Sequence, residues 1–180
     1  EINLLSTIPL LHQPSTKWVY SVSVDVLARI IEIVTEESLQ TQLEKRIFKP
    51  LEMQDTGFSV TPENLHRLMT SYEYDPLHKK LNEPSSSPQQ IGECGHPTNI
   101  STYARGGHGL FSSLEDYSKF AQMLLTGKTK TGTKIISDSM LKMATTNHLK
   151  PSFFPLEIRN FDVEVLEVND LEPYGWGLGF

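Results

Sequence analysis

Between Val24 and Val34 the apolar residues fall at Val24, Leu27, Ile30, Ile31 and Val34, the i, i+3, i+4, i+7 spacing of one helical face. A helix with such a stripe has to press it against a neighbour, so this stretch alone commits the chain to a packed, layered fold. Ser23 is placed to cap the helix. Tyr20 then lies one turn before a helix whose apolar face is expected to be buried.

Further elements follow from the same rules. A second helix is expected from Ser38, carrying Leu39, Leu43 and Ile47 inward and stopping at Pro50, because proline keeps the residue before it out of helical geometry. "TPEN" at Thr61 reads as an N-cap with proline in the first helical position, opening a short helix through Leu65 and Leu68. From about Tyr74 to Gly95, including "NEPSSSPQQ", turn residues dominate and an exposed loop is expected. Ser113, with Asp116 three residues on, resembles a capping box. The helix it opens is expected to bury Tyr117, Phe120, Ala121, Leu124 and Leu125. "TGKTKTGTK" should end that helix, and another should run from Ser137 to Asn147.

The final "PYGWGLGF" alternates Trp176, Leu178 and Phe180 with Gly175, Gly177 and Gly179. That is strand periodicity, with a bare face that lets another element approach closely. Such a strand needs neighbours that the preceding sequence hardly supplies. The chain also begins at Glu1 rather than Met, so the expectation is a segment of a larger domain.

Charge and composition narrow the function. The net charge is −6, with Lys and Arg scattered, which gives a nucleic-acid backbone nothing to hold. Apolar residues at 38% and charged residues at 21% fit a soluble globular chain, and no apolar run approaches the about 18 residues of a membrane helix. Cys94 is the single cysteine, which rules out an internal disulfide. The six histidines form neither an HExxH motif nor an i,i+4 pair, so no metal and no cofactor is expected. "NIS" at Asn99 is a glycosylation sequon that matters only after secretion.

Several short motifs invite chemistry. "GKT" at Gly127 lacks the glycine of a phosphate loop, whose place Gln122 takes, and reads as a solvated turn. "SMLK", Ser139 to Lys142, matches S-x-x-K, in which a lysine one turn away can take the serine's proton, yet Met140, Leu141 and Met143 suit ordinary helix packing. "GGHG", Gly106 to Gly109, either lets backbone approach a substrate or makes a tight connection into the next helix, the use expected here, with His108 solvated. Tyr20 can serve as a base near neutrality only where cations stabilise its phenolate. Lys17 is close in sequence, but taken by itself Tyr20 reads as a packed aromatic with its hydroxyl on a partner.

The order of three blocks changes that reading. "PLLHQPSTKWVYSVSVDVLARIIEIVTEESLQTQLEKRIFKPLEMQDTGF", "GGHGLFSSLEDYSKFAQMLL" and "YGWGLGF" are collinear from Pro9 to Phe180. Together they resemble the serine β-lactamase-like superfamily: class C β-lactamases, D-alanyl-D-alanine carboxypeptidases and family VIII carboxylesterases. The resemblance implies an α+β fold, of which this chain would be the mainly helical portion. The helical subdomain would span about residues 9–150, and residues 173–180 would begin a strand of the antiparallel sheet. It also implies a serine hydrolase acting on a small-molecule ester or amide through an acyl-serine intermediate, without metal or organic cofactor.

In that family an S-x-x-K supplies the nucleophile and a lysine, a Y-x-N or Y-S-x-S element supplies a tyrosine base, and a Lys-Thr-Gly-like or His-x-Gly strand lines the oxyanion side. "YSVS" matches the second element, so the resemblance assigns the base role to Tyr20. Val22 stands where class C β-lactamases carry asparagine, which shifts the expectation toward an esterase or carboxypeptidase-like hydrolase, with β-lactamase and D-Ala-D-Ala carboxypeptidase as alternatives. Neither serine before Tyr20, Ser6 or Ser15, has lysine three residues later, and no third element precedes Phe180. The nucleophile and oxyanion strand are therefore expected in flanking segments of the same protein, and the chain alone is expected not to be a competent hydrolase. The alternative from another class is a non-catalytic module that keeps the helical layer to bind a partner or peptide.

Overall fold

Helix α1 is a single turn, Ile2–Leu5, and helix α2 spans Ser23–Thr35, where the apolar stripe calls for it. The computed structural model describes residues 2–70, 72–82, 98, 104–154, 156–159, 165–168 and 175–179. The N-cap of α2 is Val22, which makes no side-chain cap bond, so Ser23 is the first helical residue rather than the cap. Glu36 ends the helix in the left-handed conformation, at φ 56°.

The face that α2 buries differs from the one its stripe suggests. Ala28 is buried and Ile31 partly so, whereas Val24, Leu27, Ile30 and Val34 face solvent, Leu27 at 53% and Val34 at 76% exposure. The reason is close approach. Gly106 lies so near α2 that a Cβ there would sit 2.2 Å from the Val24 carbonyl oxygen and 2.8 Å from the Ala28 Cβ. The helix therefore turns its smallest residue toward the neighbouring loop, and Ala28 clusters with Leu39, Phe58 and Ala104.

Helix α3, Leu39–Leu43, starts at Ser38, whose hydroxyl accepts from the Thr41 amide, and runs directly into a π-helical turn, Glu44–Phe48. Leu39 and Phe48 are buried, with Leu43 and Ile47 packed beside them, so the second expected helix is present with a widened last turn before Pro50. "TPEN" opens a 3-10 helix, Pro62–Arg67, with Thr61 extended ahead of it. The stretch expected to be a loop contains a small hairpin of β1, Glu73–Asp75, and β2, Lys80–Asn82. Asp75 organises its turn, accepting from the Leu77 and His78 amides at 2.9 and 3.1 Å. The remainder of that stretch, Cys94 and the Asn99 sequon lie outside the described residues.

Helix α4, Leu114–Thr126, has half of the expected capping box. The Ser113 hydroxyl accepts from the Asp116 amide at 3.2 Å, but the Asp116 carboxylate reaches away from the helix start to residues 55 and 56. Asp116 is accordingly on the buried face of the helix. Met123 is buried, with Phe120 and Leu124 packed beside it, while Tyr117, Ala121 and Leu125 point outward, correcting three of the five residues expected inside. Phe48, Leu51, Met53 and Met123 form the second apolar cluster, closed by Ile135 and Ile136. Gly127 caps α4 at φ 71°, and "TGKTKTGTK" folds back as a tight turn bridged between Lys128 and Lys134.

Helix α5 is Asp138–Ala144, shorter than the expected span to Asn147, with Ser137 accepting from the Met140 amide. A second antiparallel pair follows, β3, Leu156–Arg159, with β4, Val165–Val168. Residues 175–179 pair with no strand among the described residues; they hydrogen-bond to the end of α5 instead.

Candidate active site

Tyr20 stands just before α2 and is 60% exposed as a residue, where its sequence taken alone suggests a packed aromatic. Among the described residues no hydrogen bond holds its hydroxyl. Its ring is held by two indoles. Trp18 lies 6.3 Å away, centroid to centroid, at 54°, and Trp176 lies 6.1 Å away at 79°, edge to face. The indoles also contact each other, at 5.0 Å and 56°. Residues some 150 positions apart in sequence thus converge on one phenol.

Trp176 arrives there because the segment around it is bolted to the end of α5. Its amide donates to Asn147 Oδ1 at 3.0 Å, its carbonyl accepts from the His148 amide at 2.9 Å, and the Leu178 amide donates to the Ala144 carbonyl at 2.8 Å. The glycines on either side make this possible. A Cβ at Gly177 would lie 2.1 Å from the Ala144 carbonyl oxygen, and one at Gly175 would lie 2.7 Å from the Asn147 side chain. The bare face read from the sequence is real, and what approaches it is the C-terminal end of a helix. Neither Trp18 nor Asn147 stood out as functional in sequence; the glycine alternation was the available signal that some element must dock at Trp176.

The "GGHG" loop makes a close connection to α2. The Gly107 amide donates to Asp25 Oδ1 at 3.3 Å, tying the loop to the first turn of α2, and Gly109 adopts φ 99° as the chain turns toward the Gly57–Phe111 bridge. His108 is exposed, its Nε2 2.9 Å from Arg105 Nη1. Ser139 of "SMLK" lies in the first turn of α5 with its hydroxyl 3.0 Å from that of the capping Ser137. No hydrogen bond or ion pair joins Lys17 to Tyr20 among the described residues. Nor does any group of three or more His, Cys, Asp or Glu among those residues form a metal-binding cluster.

Away from Tyr20, one polar network fixes the scaffold. The Asp116 carboxylate, 3% exposed as a residue, accepts from the Asp55 amide at 2.7 Å, from the Thr56 hydroxyl at 3.0 Å and from Lys119 at 2.9 Å. Lys119 also donates to the Glu52 carbonyl at 2.7 Å, and Asp116 beside it favours its charged form, raising its pKa. Arg67 grips Asp55 through both carboxylate oxygens, at 2.7 and 2.6 Å, and holds that carboxyl below the ordinary value of 3.8. In the same way Lys45 lowers the pKa of Glu37, and His78 that of Asp75.

Comparison with known proteins identifies the family and the fold. A protein-family model described as Beta-lactamase matches residues 2–179. An uncharacterized protein of Mycobacterium tuberculosis is 31% identical over 145 residues, which are 81% of this chain and 34% of that protein. Lovastatin esterase of Penicillium rubens is 36% identical over 121 residues, 66% of this chain and 29% of the esterase. Among solved structures, unliganded simvastatin synthase from Aspergillus terreus superposes with a TM-score of 0.66 at 23% identity, over 83% of this chain and 34% of the other. The chain spans about a third of the length of the curated relatives it matches. The expected α+β, β-lactamase/transpeptidase-like fold is therefore the one observed, and the chain belongs to the Beta-lactamase family, within the serine β-lactamase-like superfamily.

Proposed function

We propose that the protein is a serine hydrolase of carboxylic esters or amides and that Tyr20 is its general base. The observation that carries this reading is the presentation of the Tyr20 phenol: exposed, free of hydrogen bonds among the described residues, and steadied by Trp18 and Trp176 within the "YSVS" element. A tyrosine kept for packing would be expected to bury its ring and bond its hydroxyl. Esterases among the relatives support the reaction class.

The nucleophilic serine and its lysine come from an S-x-x-K in a flanking segment; the Ser139 hydroxyl of the S-x-x-K on α5 lies instead against that of the capping Ser137. The serine oxygen bonds to the acyl carbon while its proton passes to the Tyr20 phenolate. Tyr20 then returns that proton to the leaving alcohol or amine as the carbon–oxygen or carbon–nitrogen bond breaks. Water repeats the sequence against the acyl-serine and frees the acid. The partner lysine stabilises the phenolate between steps. Residues of about 9–150 act as the helical subdomain and 173–180 begin the sheet. The flanking segments cover the apolar face of α2 at Leu27, Ile30 and Val34, which this chain leaves open.

An activity-based fluorophosphonate probe tests the assignment. It is expected to label the longer protein and to leave the 180-residue chain unlabelled. In the longer protein Tyr20→Phe should lower kcat for a p-nitrophenyl ester by roughly 10²–10⁴-fold; an unchanged kcat would remove Tyr20 from the base role. With Val22 at the position of the class C asparagine, the ester should be turned over in preference to a chromogenic cephalosporin or a D-Ala-D-Ala peptide. Preference for the cephalosporin would overturn the ester assignment.

A further inference from the structure

The orientation of the Tyr20 ring has to come from somewhere, because no hydrogen bond among the described residues fixes its hydroxyl. Trp18 shares the backbone of Tyr20 two residues away and moves with it. Trp176 does not. Its backbone is tied to Asn147 and His148 beyond α5, and the neighbouring Leu178 amide is tied to the Ala144 carbonyl, so its indole belongs to a different element. Its near-perpendicular, edge-to-face contact with Tyr20 pairs the positive edge of one ring with the negative face of the other, a directional arrangement. The contact between the two indoles at 5.0 Å closes the triad. Glycines at 175 and 177 keep clear the space this docking needs, where any Cβ would collide.

We infer that Trp176 is a positioning residue for Tyr20, referencing the phenol to α5 so that its oxygen stays within reach of the serine proton. The inference rests on Tyr20 being the base. A base must come within about 2.6–3.2 Å of the proton it takes, and a misplacement of about 1 Å can cost roughly 10²-fold in rate. A half-buried indole, edge to face with the phenol and on a separate element, supplies that constraint without contacting the reacting atoms.

Steady-state hydrolysis of p-nitrophenyl acetate by the longer protein tests the inference through a double-mutant cycle. Trp176→Ala should lower kcat by about 10- to 100-fold with KM changed less than about twofold, and Trp176→Phe should recover most of the loss. In a Tyr20→Phe background Trp176→Ala should cost nothing further, because its effect runs through the phenol. An equal loss in both backgrounds, or a change confined to KM, would overturn the positioning role while leaving Tyr20 as base. If Tyr20→Phe alone leaves kcat unchanged, the base assignment fails, and the inference with it. Should Trp176→Ala not fold, Asn147→Ala frees the Trp176 amide and keeps the indole. It should lower kcat by about fivefold only when Tyr20 is present, and a loss independent of Tyr20 would again overturn the role.

Discussion

The Asp116 network and the Tyr20 face solve opposite problems. Around Asp116 each carboxylate oxygen has a partner, and the nearby cluster of Phe48, Leu51, Met53 and Met123 is closed. Around Tyr20 the hydroxyl has no partner among the described residues, and α2 buries Ala28 while leaving Leu27, Ile30 and Val34 in solvent. One region satisfies its own polar and apolar demands. The other leaves both kinds unmet, and that is where the functional candidate stands. Local completeness marks scaffold here, and local incompleteness marks the surface on which the site is proposed to be assembled.

The sharpest way to break this contrast is to damage the complete region. Asp116→Ala strands the Asp55 amide, the Thr56 hydroxyl and the Lys119 ammonium, and should destabilise the chain by about 4 kcal/mol. The measurement is a urea midpoint, which should fall with little change in slope. Met123→Ala removes the most buried side chain of the second cluster and should cost about 3 kcal/mol in the same assay. Losses below about 1 kcal/mol in both would show that this network and core do not carry the scaffold.

Much of this was legible in the sequence where one element suffices. The helices at 23–35, 38–48 and 114–126 follow from periodicity and from Ser38, Ser113 and Gly127 at their ends. Which face each helix buries was not, because that depends on partners distant in sequence. Gly106 draws Ala28 inward, and the loop at Asp55 draws in Asp116 at the expense of Tyr117. The base role proposed for Tyr20 rests on the order of three blocks; the glycine alternation in "YGWGLGF" signals that an element docks at Trp176, but nothing local says that it is the end of α5. The hairpin at 73–82 has no sequence signal of its own, because its strands are three residues each and alternate over too short a span.

Gly177→Ala tests the other side of the contrast. Its methyl would collide with the Ala144 carbonyl oxygen, so Trp176 should leave Trp18 at a cost of about 2 kcal/mol. Two indoles at 5.0 Å should give an exciton-coupled circular dichroism band, which this variant should lose while the helical signal remains. A retained band would show that the glycine does not govern the docking.

Acid should act on the complete region through Asp55. Arg67 depresses its folded pKa below 3.8, so the stability it contributes is present above that value and is lost as pH falls through the folded pKa. The urea midpoint should decline on acidification below about pH 4, and Asp55→Asn should flatten the decline. An identical acid slope in the variant would exclude Asp55 as a source.

The smallest effect expected in this chain is also the one that best separates the two regions. Leu27→Ala removes a large apolar side chain from solvent rather than from a core, so it should change stability by less than about 0.5 kcal/mol. In the longer protein, where flanking segments are proposed to cover α2, the same substitution leaves a cavity and should cost about 2–3 kcal/mol. Thermal or urea unfolding of both forms measures the difference. Equal and small effects would mean that the open face stays open, and that incompleteness around Tyr20 belongs to the native surface rather than to an interface within the same protein.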